Sequence, residues 1–304
     1  MKKNNISTDI LVIGAGPAGL TAALYGARAG KKTTVLESVV CGGQITSTGE
    51  IENMPGFATI SGPDLAISMM TQAESAGAEI VYTEIKEIEF SPHKVIANDG
   101  TSYDAKSIII ATGAGPRRLD CDGAALFDGR NIHYCGLCDG NFYKDKDVAV
   151  VGGGNSAVEE VIYLAEIVKS VTIVNITDKF NAQKPSLDKL VTLKNIKAIY
   201  HNHVVTRVSG DKNLTAIEIQ DTKSKKITAI NCDGIFVAIG RAPNTDIIKD
   251  KIELNKCGYI KVDANMQTNV QGVFAAGDVV DKALRQIVTA CADGAIAAVS
   301  ASQC

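Results

Sequence analysis

Short apolar runs alternate with stretches of helical periodicity, and one such arrangement occurs twice along the chain. In the first copy, an apolar run at residues 9–13 precedes a glycine-rich turn, a helix expected to reach residue 30, and a second run at 33–36 that ends at Glu37. In the second copy, the runs lie at 148–151 and 171–174, the helix should reach about residue 169, and Asn175 takes the place of Glu37. This order predicts two strand–helix–strand units with parallel strands.

The two turns carry the glycine spacing of dinucleotide-binding folds. The first has Gly14, Gly16 and Gly19, and the second has Gly152, Gly154 and Ala157. In this spacing one glycine makes the tight turn, the next lets a pyrophosphate approach the backbone, and the third small residue packs helix on strand. The helix N-terminus adds free N–H groups and a partial positive charge. We therefore expect the first turn to bind a dinucleotide, with Glu37 accepting hydrogen bonds from the adenosine ribose.

Two further apolar strands divide the chain into domains. Residues 108–114 predict a buried strand before a linker at 114–116, and residues 235–240 predict a matching strand before a linker at 241–244. The expected domains are a discontinuous one of residues 1–114 and 245–304 and a central one of residues 115–244. The expected fold class is α/β, with two Rossmann-like, three-layer dinucleotide-binding domains, the second inserted into the first.

Charge and hydropathy narrow the function classes. The 304 residues include 31 Lys and Arg and 34 Asp and Glu, for a net charge of −3, and this balance argues against a nucleic-acid-binding protein. The longest apolar stretch, residues 287–301, contains Asp293 and is too short to cross a bilayer. The first nine residues are polar, so we expect no signal peptide, no membrane partner and a cytoplasmic protein.

The most informative local motif is a pair of cysteines two residues apart, Cys135 and Cys138, followed by Asp139. In a cytoplasmic chain such a pair is a redox dithiol or half of a zinc site. A structural zinc site needs four ligands. The other cysteines stand singly, and His201 and His203 have the spacing of a solvent-facing strand, so a redox pair is favoured and no metal is expected. Asp139 either caps a turn or gives a proton to a leaving thiolate.

Taken together, these motifs resemble the low-molecular-weight, flavin-dependent thioredoxin reductases along essentially the whole chain. The stretches that carry the likeness are residues 14–19, 42–44, 52–56, 111–113, 135–140, 152–160, 273–278 and 285–290. The position of the redox pair inside the second strand–helix–strand domain separates this family from the larger disulfide reductases, in which the pair lies near the N-terminus.

The resemblance implies that the first domain binds FAD. The expected contacts are Gly14, Gly16, Pro17 and Ala18 for the pyrophosphate, Glu37 for the ribose, Gln44 and Asn53 for the flavin and ribityl groups, Asp278 for the ribityl chain or a phosphate, and Arg285, Gln286 and Ile287 for the pyrimidine end of the flavin. Further expected FAD contacts are Gly43, Ile85, Ala111, Thr112, Gly113 and Gly277.

The resemblance also implies how electrons travel. In the family, the cysteine that matches Cys138 exchanges electrons with the flavin, and the cysteine that matches Cys135 attacks the disulfide of thioredoxin. The central domain would rotate about its two linkers to expose the reduced pair. The protein would be a homodimer.

One stretch departs from the family's pattern. NADPH-dependent members carry His-Arg-Arg-x-x-x-Arg after the second unit's second strand, whereas this chain has Asn175 at the histidine position and Ile176, Thr177 and Asn181 at the arginine positions. Each lost arginine contact to the 2′-phosphate is worth about 1.5–3 kcal/mol, so NADPH should bind far more weakly. Asn175 also lacks the carboxylate expected of an NAD site.

Another electron donor is therefore expected. The chain resembles the ferredoxin-dependent flavin thioredoxin reductases in lacking the NADPH-gripping arginines, and reduced ferredoxin is the leading hypothesis. Ferredoxins are typically acidic, and the candidate contacts are Lys144, Lys146, Lys223, Lys225 and Lys226. Three alternatives stay open: NADPH or NADH in an altered pocket, a small-molecule dithiol oxidase that uses oxygen, and a non-catalytic flavin-carrying binding module.

Overall fold

A computed structural model describes residues 4–304. The first three residues, which belong to the predicted domain 1–114 and to its polar N-terminal stretch, lie outside the described part. The chain divides into two compact units. The outer unit contains Met1–Gly115, as far as it is described, with Ala242–Cys304, and the central unit is Pro116–Arg241. That these units are the predicted cofactor-binding domains stays a prediction.

The helices and strands follow one another in chain order. The strands are β1 (Asn5–Ile13), β2 (Thr33–Glu37), β3 (Glu79–Tyr82), β4 (Ile85–Phe90), β5 (His93–Ala97), β6 (Ser102–Ile110), β7 (Ala114–Pro116), β8 (Ile132–His133), β9 (Asp147–Val151), β10 (Ser170–Asn175), β11 (Ile196–His201), β12 (His203–Gly210), β13 (Leu214–Asp221), β14 (Ile227–Asn231), β15 (Gly234–Val237), β16 (Arg241–Pro243) and β17 (Val273–Ala275). The helices are α1 (Pro17–Arg28), α2 (Gly62–Ser75), α3 (Ala124–Phe127), α4 (Gly136–Asp139), α5 (Asn155–Ala165), α6 (Lys184–Leu190) and α7 (Ile287–Ala301). Short 3₁₀ helices cover Gly43–Ser47, Gly140–Tyr143, Asp246–Ile248 and Gly277–Val279.

The outer unit is built on a parallel sheet. Its strands run in the order β3-β2-β1-β6, and β6 then pairs in parallel with β17 through its last residues and antiparallel with β5 through its first. The β1 residues alternate between two buried faces. Ile10 and Val12 pack with α1, α2 and α7, whereas Leu11 and Ile13 pack toward β4, β5 and residues 247–262. Burial on both faces explains why β1 and β6 end in continuous apolar runs.

The central unit repeats the plan on a smaller scale. Its parallel sheet runs β11-β10-β9-β15-β8, and a separate antiparallel sheet has the order β12-β13-β14. One buried cluster joins β9 and β10 to α5 and α6, and a second joins the parallel sheet to the antiparallel one through Val205, Ile217 and Ile219. Both units therefore have a Rossmann-like sheet, and the predicted α/β fold class is confirmed.

Two local predictions differ from the structure. Helix α5 ends at Ala165, about a turn before the expected end at residue 169. The Glu166 and Ile167 N–H groups bond carbonyls only three residues back, and Val168 then pairs with Lys144 in an antiparallel bridge. The expectation of one solvent-facing strand through His201 and His203 is wrong. Strand β11 ends at His201 and β12 begins at His203, because Asn202 between them has φ +58°, and only 16% of the His203 side chain is exposed. Among residues 4–304, no helix is long and apolar enough to cross a membrane.

Candidate functional site

The predicted dinucleotide-binding residues of the outer unit gather at one edge of its sheet. Strands β1, β2, β6 and β17 are parallel and end at Ile13, Glu37, Ile110 and Ala275. The segments that follow them therefore meet at the carboxyl edge, where open α/β sheets bind ligands. The Gly14 N–H donates to the Leu36 carbonyl at 2.8 Å, and the Ala111 N–H donates to the Ile13 carbonyl at 2.8 Å.

The three glycines of the first turn differ in the space that surrounds them. Gly14 has φ +99°, and a Cβ there would lie 2.6 Å from the Ala111 carbonyl oxygen. A Cβ at Gly19 would collide with the Gly14 carbonyl, so helix α1 lies directly against the turn. A Cβ at Gly16, in contrast, would meet no atom within 4 Å. The turn is thus closed on two sides and open at Gly16, just before the α1 N-terminus, where a phosphate would be bound.

Glu37 lies beside this turn. Its Oε2 accepts a hydrogen bond from the Ala15 N–H at 2.7 Å, and its Oε1 accepts from the Ser38 and Val39 N–H groups, each at 2.9 Å. The carboxylate is thereby fixed at the end of β2, next to the glycine turn, as the ribose role requires. The Glu37 carbonyl also accepts from the Thr83 N–H at 2.8 Å, which brings the start of β4, and with it Ile85, to the same strand end.

Two more segments border the turn. The Gly42 N–H donates to the Ala15 carbonyl at 2.7 Å, and a Cβ at Gly43 would lie 3.4 Å from the Gly16 Cα. The Gln44 side chain donates to the Ala114 carbonyl at 2.6 Å. Residues 42–44 and 111–114 therefore lie together beside the open position.

Thr112 fixes the second of these segments. Its hydroxyl donates to the Asn244 carbonyl at 2.7 Å, and the Asn244 amide donates back to the Thr112 carbonyl at 2.8 Å. Gly113 accepts from the Asn244 N–H at 3.0 Å. The predicted contacts Thr112 and Gly113 are thus held by the first residues of the returning chain.

The C-terminal segment supplies the remaining predicted contacts. The Asn53 amide donates to the Gln286 side chain at 3.0 Å, although the two are far apart in sequence. Gln286 is the N-cap of α7 and forms a reciprocal capping box with Thr289, so that Ile287 opens the helix. Gly277 is packed against Ala18, which brings the Gly277–Asp278 motif to the first turn of α1.

Arg285 is held by protein groups. Its guanidinium lies over the Tyr259 ring, 3.9 Å from the centroid, and donates to the Val280 carbonyl at 3.1 Å and the Asp278 carbonyl at 3.4 Å. In this position it ties the segment after β17 together. Its contact with the pyrimidine end of the flavin stays a prediction.

The donor set of this edge fits FAD. An open backbone position at a helix N-terminus suits a pyrophosphate, and a carboxylate at the end of β2 suits a ribose. The amides of Gln44, Asn53 and Gln286 suit the polar edge of a flavin. The residues that would hold FAD are therefore assembled at one place, and each individual contact stays a prediction.

The second chemical centre lies in the central unit. Cys135 and Cys138 form a disulfide with a Cα–Cα distance of 5.3 Å. Cys135 is the N-cap of α4, and its sulfur accepts from the Cys138 N–H at 3.2 Å. The Gly136 N–H donates to Glu160 Oε2 at 2.6 Å, so α5 anchors the first turn of the redox segment. Burial raises the pKa of the Glu160 carboxyl, and the neighbouring Glu159 and Asp139 carboxylates raise it further.

Asp139 has a partner that the sequence analysis missed. Nδ1 of His133 lies 3.2 Å from Asp139 Oδ2, and Nε2 of the same ring lies 2.8 Å from the Tyr143 hydroxyl. His133 is 8% exposed. Burial raises the pKa of the Tyr143 phenol. The sequence offers no motif for this group, and its one signal is a histidine two residues before the cysteine pair.

The second glycine turn is hydrogen-bonded to the loop that follows β10. The Asn181 N–H donates to the Gly153 carbonyl at 2.7 Å, and the Gln183 N–H donates to the Asn155 side chain at 2.7 Å. Asn175 is 1% exposed. Its amide donates to the Lys179 carbonyl at 3.0 Å, and its Oδ1 accepts from the Thr177 hydroxyl at 2.9 Å. The residue at the ribose position is therefore bonded within its own loop.

Comparison with known proteins agrees with this arrangement. Residues 8–294 match the family model described as pyridine nucleotide-disulphide oxidoreductase. The chain is 46% identical to the 34.2 kDa protein in the rubredoxin operon of Clostridium pasteurianum, over 99% of this chain and 98% of that one. It is 44% identical to a thioredoxin reductase of Rickettsia conorii, over 98% of each. The crystal structure of Lactococcus lactis thioredoxin reductase is similar, with a TM-score of 0.88 and 39% identity over 97% of this chain and 98% of that one.

The fold, the cysteine pair and these similarities together define a disulfide oxidoreductase of the flavin-linked class. The chain belongs to the pyridine nucleotide-disulphide oxidoreductases and, within them, to the low-molecular-weight thioredoxin reductase family.

Proposed function

We propose that this protein is a thioredoxin-disulfide reductase that carries FAD in its outer unit and receives electrons from reduced ferredoxin rather than from NADPH. The disulfide between Cys135 and Cys138 supports the reaction class, because thiol–disulfide exchange needs a pair that can cycle between dithiol and disulfide. The relatives that bear the name thioredoxin reductase support thioredoxin as the substrate.

The proposed cofactor site is the carboxyl edge of the outer sheet. Gly14, Gly16, Pro17 and Ala18 would hold the pyrophosphate at the α1 N-terminus, and Glu37 would bind the ribose. Gln44, Asn53 and Gln286 would contact the flavin end. When bound, FAD supplies the link between one-electron donors and the two-electron reduction of a disulfide.

The chain's own groups perform the exchange with thioredoxin. The Cys135 thiolate attacks one sulfur of the thioredoxin disulfide, forming a mixed disulfide and releasing one thioredoxin thiolate. Cys138 then attacks the Cys135 sulfur, which re-forms the enzyme disulfide and releases the second thiolate. Asp139, next to Cys138 and 31% exposed, exchanges a proton with the Cys138 sulfur.

The observation that carries the choice of donor is the loop after β10. Its Ile176, Thr177 and Asn181 offer no cation to a 2′-phosphate. The Thr177 hydroxyl already bonds Asn175 and the Lys179 carbonyl, at 2.9 and 2.7 Å. Asn175 in turn has no carboxylate for the ribose of NADH, and its amide is engaged in the same loop. The missing arginines and the missing carboxylate support a donor other than NADPH or NADH, although Asp178 and Lys179 in the same loop keep an altered nicotinamide site as the alternative.

A ferredoxin donor would need a basic contact surface. Lys146 lies over the Tyr143 ring, 5.3 Å from its centroid, beside the redox segment, and Lys144 precedes it by two residues. Lys223, Lys225 and Lys226 lie in the turn between β13 and β14. These lysines are the proposed contacts. We also propose, from the family, a homodimer in the cytoplasm.

The test is an anaerobic comparison of donors. The holoenzyme is mixed with NADPH, NADH or chemically reduced ferredoxin, and the thiols formed on thioredoxin are measured. Rapid thiol formation with ferredoxin alone is the expected result. Rapid bleaching of the flavin band by either nucleotide, with matching turnover, would overturn the donor proposal and favour an altered nicotinamide pocket. Hydrogen peroxide formed from small dithiols and oxygen, without thioredoxin reduction, would instead identify a dithiol oxidase.

A further inference from the structure

The His133 imidazole is enclosed between the redox segment and the core of the central unit. It ends strand β8, two residues before Cys135. Its ring is stacked on Phe236, with centroids 5.4 Å apart and planes at 28°, and meets the Tyr143 ring edge-on at 5.3 Å. A ring held on two sides cannot turn away from Asp139, so the 3.2 Å approach of its Nδ1 to the carboxylate is a fixed feature of the site.

Both ring nitrogens of this imidazole have a hydrogen-bond partner in the neutral and in the protonated state. In the neutral ring with the proton on Nδ1, the Tyr143 hydroxyl donates to Nε2 at 2.8 Å. In the imidazolium, Nε2 donates to the Tyr143 oxygen instead, and the hydroxyl proton turns to the Arg130 carbonyl at 3.4 Å. The Asn131 amide donates to the same phenol oxygen at 3.4 Å in either state. Gaining or losing a proton therefore leaves no buried polar atom without a partner.

We propose that His133 is a positioning residue of the redox centre, which orients the Asp139 carboxylate and holds the proton that this carboxylate gives to the Cys138 sulfur. The inference rests on the proposed function, in which Asp139 exchanges that proton. Asp139 is partly exposed and reaches water, whereas His133 is buried behind it. The carboxylate therefore connects the thiol to solvent, and the imidazole behind it holds the proton that the carboxylate passes on.

The proton and electron count is simple. Reduction of the Cys135–Cys138 disulfide breaks the S–S bond, adds two electrons from the reductant and leaves two thiolates. The Cys138 thiolate takes one proton from Asp139, His133 returns a proton to Asp139, and the pair regains it from water. In the reverse sense, when the dithiol reduces a second disulfide, the Cys138 thiol gives its proton to Asp139 and the thioredoxin thiolates take up protons from solvent.

Several other charged and titratable groups face this pair. Glu160 approaches from α5; burial raises the pKa of its carboxyl, and the Asp139 charge contributes to the same shift. Tyr143 contributes its phenol from the neighbouring 3₁₀ helix, with Lys146 above its ring. Asp233 and Cys232, just before β15, contribute to raising the pKa of the Tyr143 phenol. The pH profile therefore belongs to the group as a whole, and the test must remove the imidazole specifically.

The test uses the holoenzyme reduced anaerobically with dithionite, so that the natural donor plays no part. Oxidised thioredoxin is added across a pH series, and the rate of thiol formation is followed in the wild type, His133→Asn, Tyr143→Phe and His203→Asn. Asparagine keeps an N–H donor toward Asp139 but cannot take up a proton. His203 is the matched control, because it also lies near a carboxylate in the central unit, with its Nε2 3.9 Å from Asp221.

We expect His133→Asn to slow the exchange by about tenfold near neutral pH, a modest part of what general acid–base groups supply. The pH at which the rate falls should move at least about one unit lower, toward the ordinary carboxyl range of about 4. Tyr143→Phe should move it in the same direction, because the imidazolium loses its acceptor, and His203→Asn should leave it unchanged.

An unchanged midpoint in His133→Asn, or a loss of rate that is equal at every pH, would overturn the proposal, since a structural role predicts just that. If His133→Asn fails to retain FAD, the Tyr143→Phe midpoint decides by the same criterion. If the wild type reduces no thioredoxin at any pH, the proposed function fails instead. The thiolate absorbance of the reduced pair, titrated in the wild type and both variants, then still tests His133.

Discussion

The Asn175 side chain lies against Gly153 so closely that a Cβ at position 153 would collide with its amide. The corresponding acid of the first unit, Glu37, instead lies beside a turn that is open at Gly16. Two glycine turns of the same sequence pattern thus differ in what surrounds them. The first combines an open position at Gly16 with a fixed carboxylate. The second is also open at Gly154, but an amide bonded within the following loop stands in place of the carboxylate.

Because the second turn keeps an open position at Gly154 and lacks only the cations beside it, we predict that arginines alone would restore a nucleotide donor. In the triple variant Ile176→Arg, Thr177→Arg and Asn181→Arg, each new contact to a 2′-phosphate should contribute about 1.5–3 kcal/mol, or about tenfold to a hundredfold in Kd. NADPH should then bleach the flavin band, and it should not do so in the wild type. Anaerobic stopped-flow absorbance measures both.

The control for this variant places Gln at the same three positions. Glutamine has a similar length and no charge, so it should give no NADPH response. Equal responses from the arginine and glutamine variants would show that loop packing, and not phosphate charge, sets the choice of donor. Reduction of the wild-type flavin by NADPH would contradict the premise that the wild type does not use this nucleotide.

The two glycine turns offer a matched pair of substitutions. Gly16 and Gly154 are both helix N-caps with an extended backbone. A Cβ at either position would have no close contact; the nearest atom to one at Gly154 is the Asn181 carbonyl oxygen, at 4.0 Å. Gly16→Ala should weaken FAD retention by about tenfold or more, because a methyl group would stand where the pyrophosphate approaches. Gly154→Ala should leave FAD retention and ferredoxin-driven turnover unchanged.

Equilibrium dialysis of FAD and steady-state turnover would measure these effects, and circular dichroism would check that both variants fold. Loss of turnover in Gly154→Ala, with FAD fully retained, would show that the second turn does bind a nucleotide in the reaction. Full FAD retention in Gly16→Ala would show that the pyrophosphate does not bind at the first turn.

The strands and glycine turns of both units could be predicted from the sequence, because their signals come from neighbouring residues in the chain. The apolar runs that became β1, β2, β9 and β10 are buried on both faces, and this burial makes them continuous and easy to recognise. The glycines that make close turns are likewise a local requirement. The place of Glu37 beside the first turn follows from the parallel pairing of β1 with β2.

The parts that could not be predicted depend on contacts between distant segments. The antiparallel sheet β12-β13-β14 has strands of ordinary polarity, and only its packing on the parallel sheet identifies it. The pairing of His133 with Asp139 arises because α4 folds back beside the end of β8. The engagement of Arg285 with Tyr259 similarly joins two loops that no motif connects.

A buried ion pair stabilises the C-terminal part of the proposed FAD site. Lys282 Nζ lies 2.5 Å from Asp293 Oδ2, with side-chain exposures of 15% and 12%, and the same oxygen accepts from the Gly277 N–H at 3.0 Å. Lys282→Met should reduce the free energy of unfolding by about 3–5 kcal/mol, because it leaves a buried carboxylate without its cation. Denaturant unfolding followed by circular dichroism measures this loss.

The double variant Lys282→Met with Asp293→Asn separates the effect of charge from that of packing. Asparagine keeps an acceptor for the Gly277 N–H and removes the unpaired charge, so most of the lost stability should return. If the double variant is less stable than Lys282→Met alone, the lysine acts through packing and not through charge. Lys261→Met, which breaks the exposed pair with Glu253, should leave the free energy of unfolding close to that of the wild type.

The single cysteines should differ sharply in reactivity. Burial raises the pKa of the Cys232 thiol to about 12 and that of Cys121 to about 11. Only the thiolate is alkylated, so near pH 8 iodoacetamide should label the exposed Cys257 and Cys304 and spare Cys232 and Cys121. Prior reduction should add Cys135 and Cys138 to the labelled set, and mass spectrometry of the peptides identifies each site.

The raised thiol pKa also predicts how stability changes in alkali. The folded protein holds the Cys232 proton more tightly than the unfolded chain does, whose thiol has the ordinary pKa of 9.0. Its contribution to the free energy of unfolding is therefore complete below pH 9.0 and is lost as the pH rises toward about 12. Cys232→Ala should flatten this alkaline loss, whereas Cys257→Ala, at an exposed position, should leave it as in the wild type. Labelling of Cys232 as fast as Cys257 in the folded protein would contradict the burial on which both expectations depend.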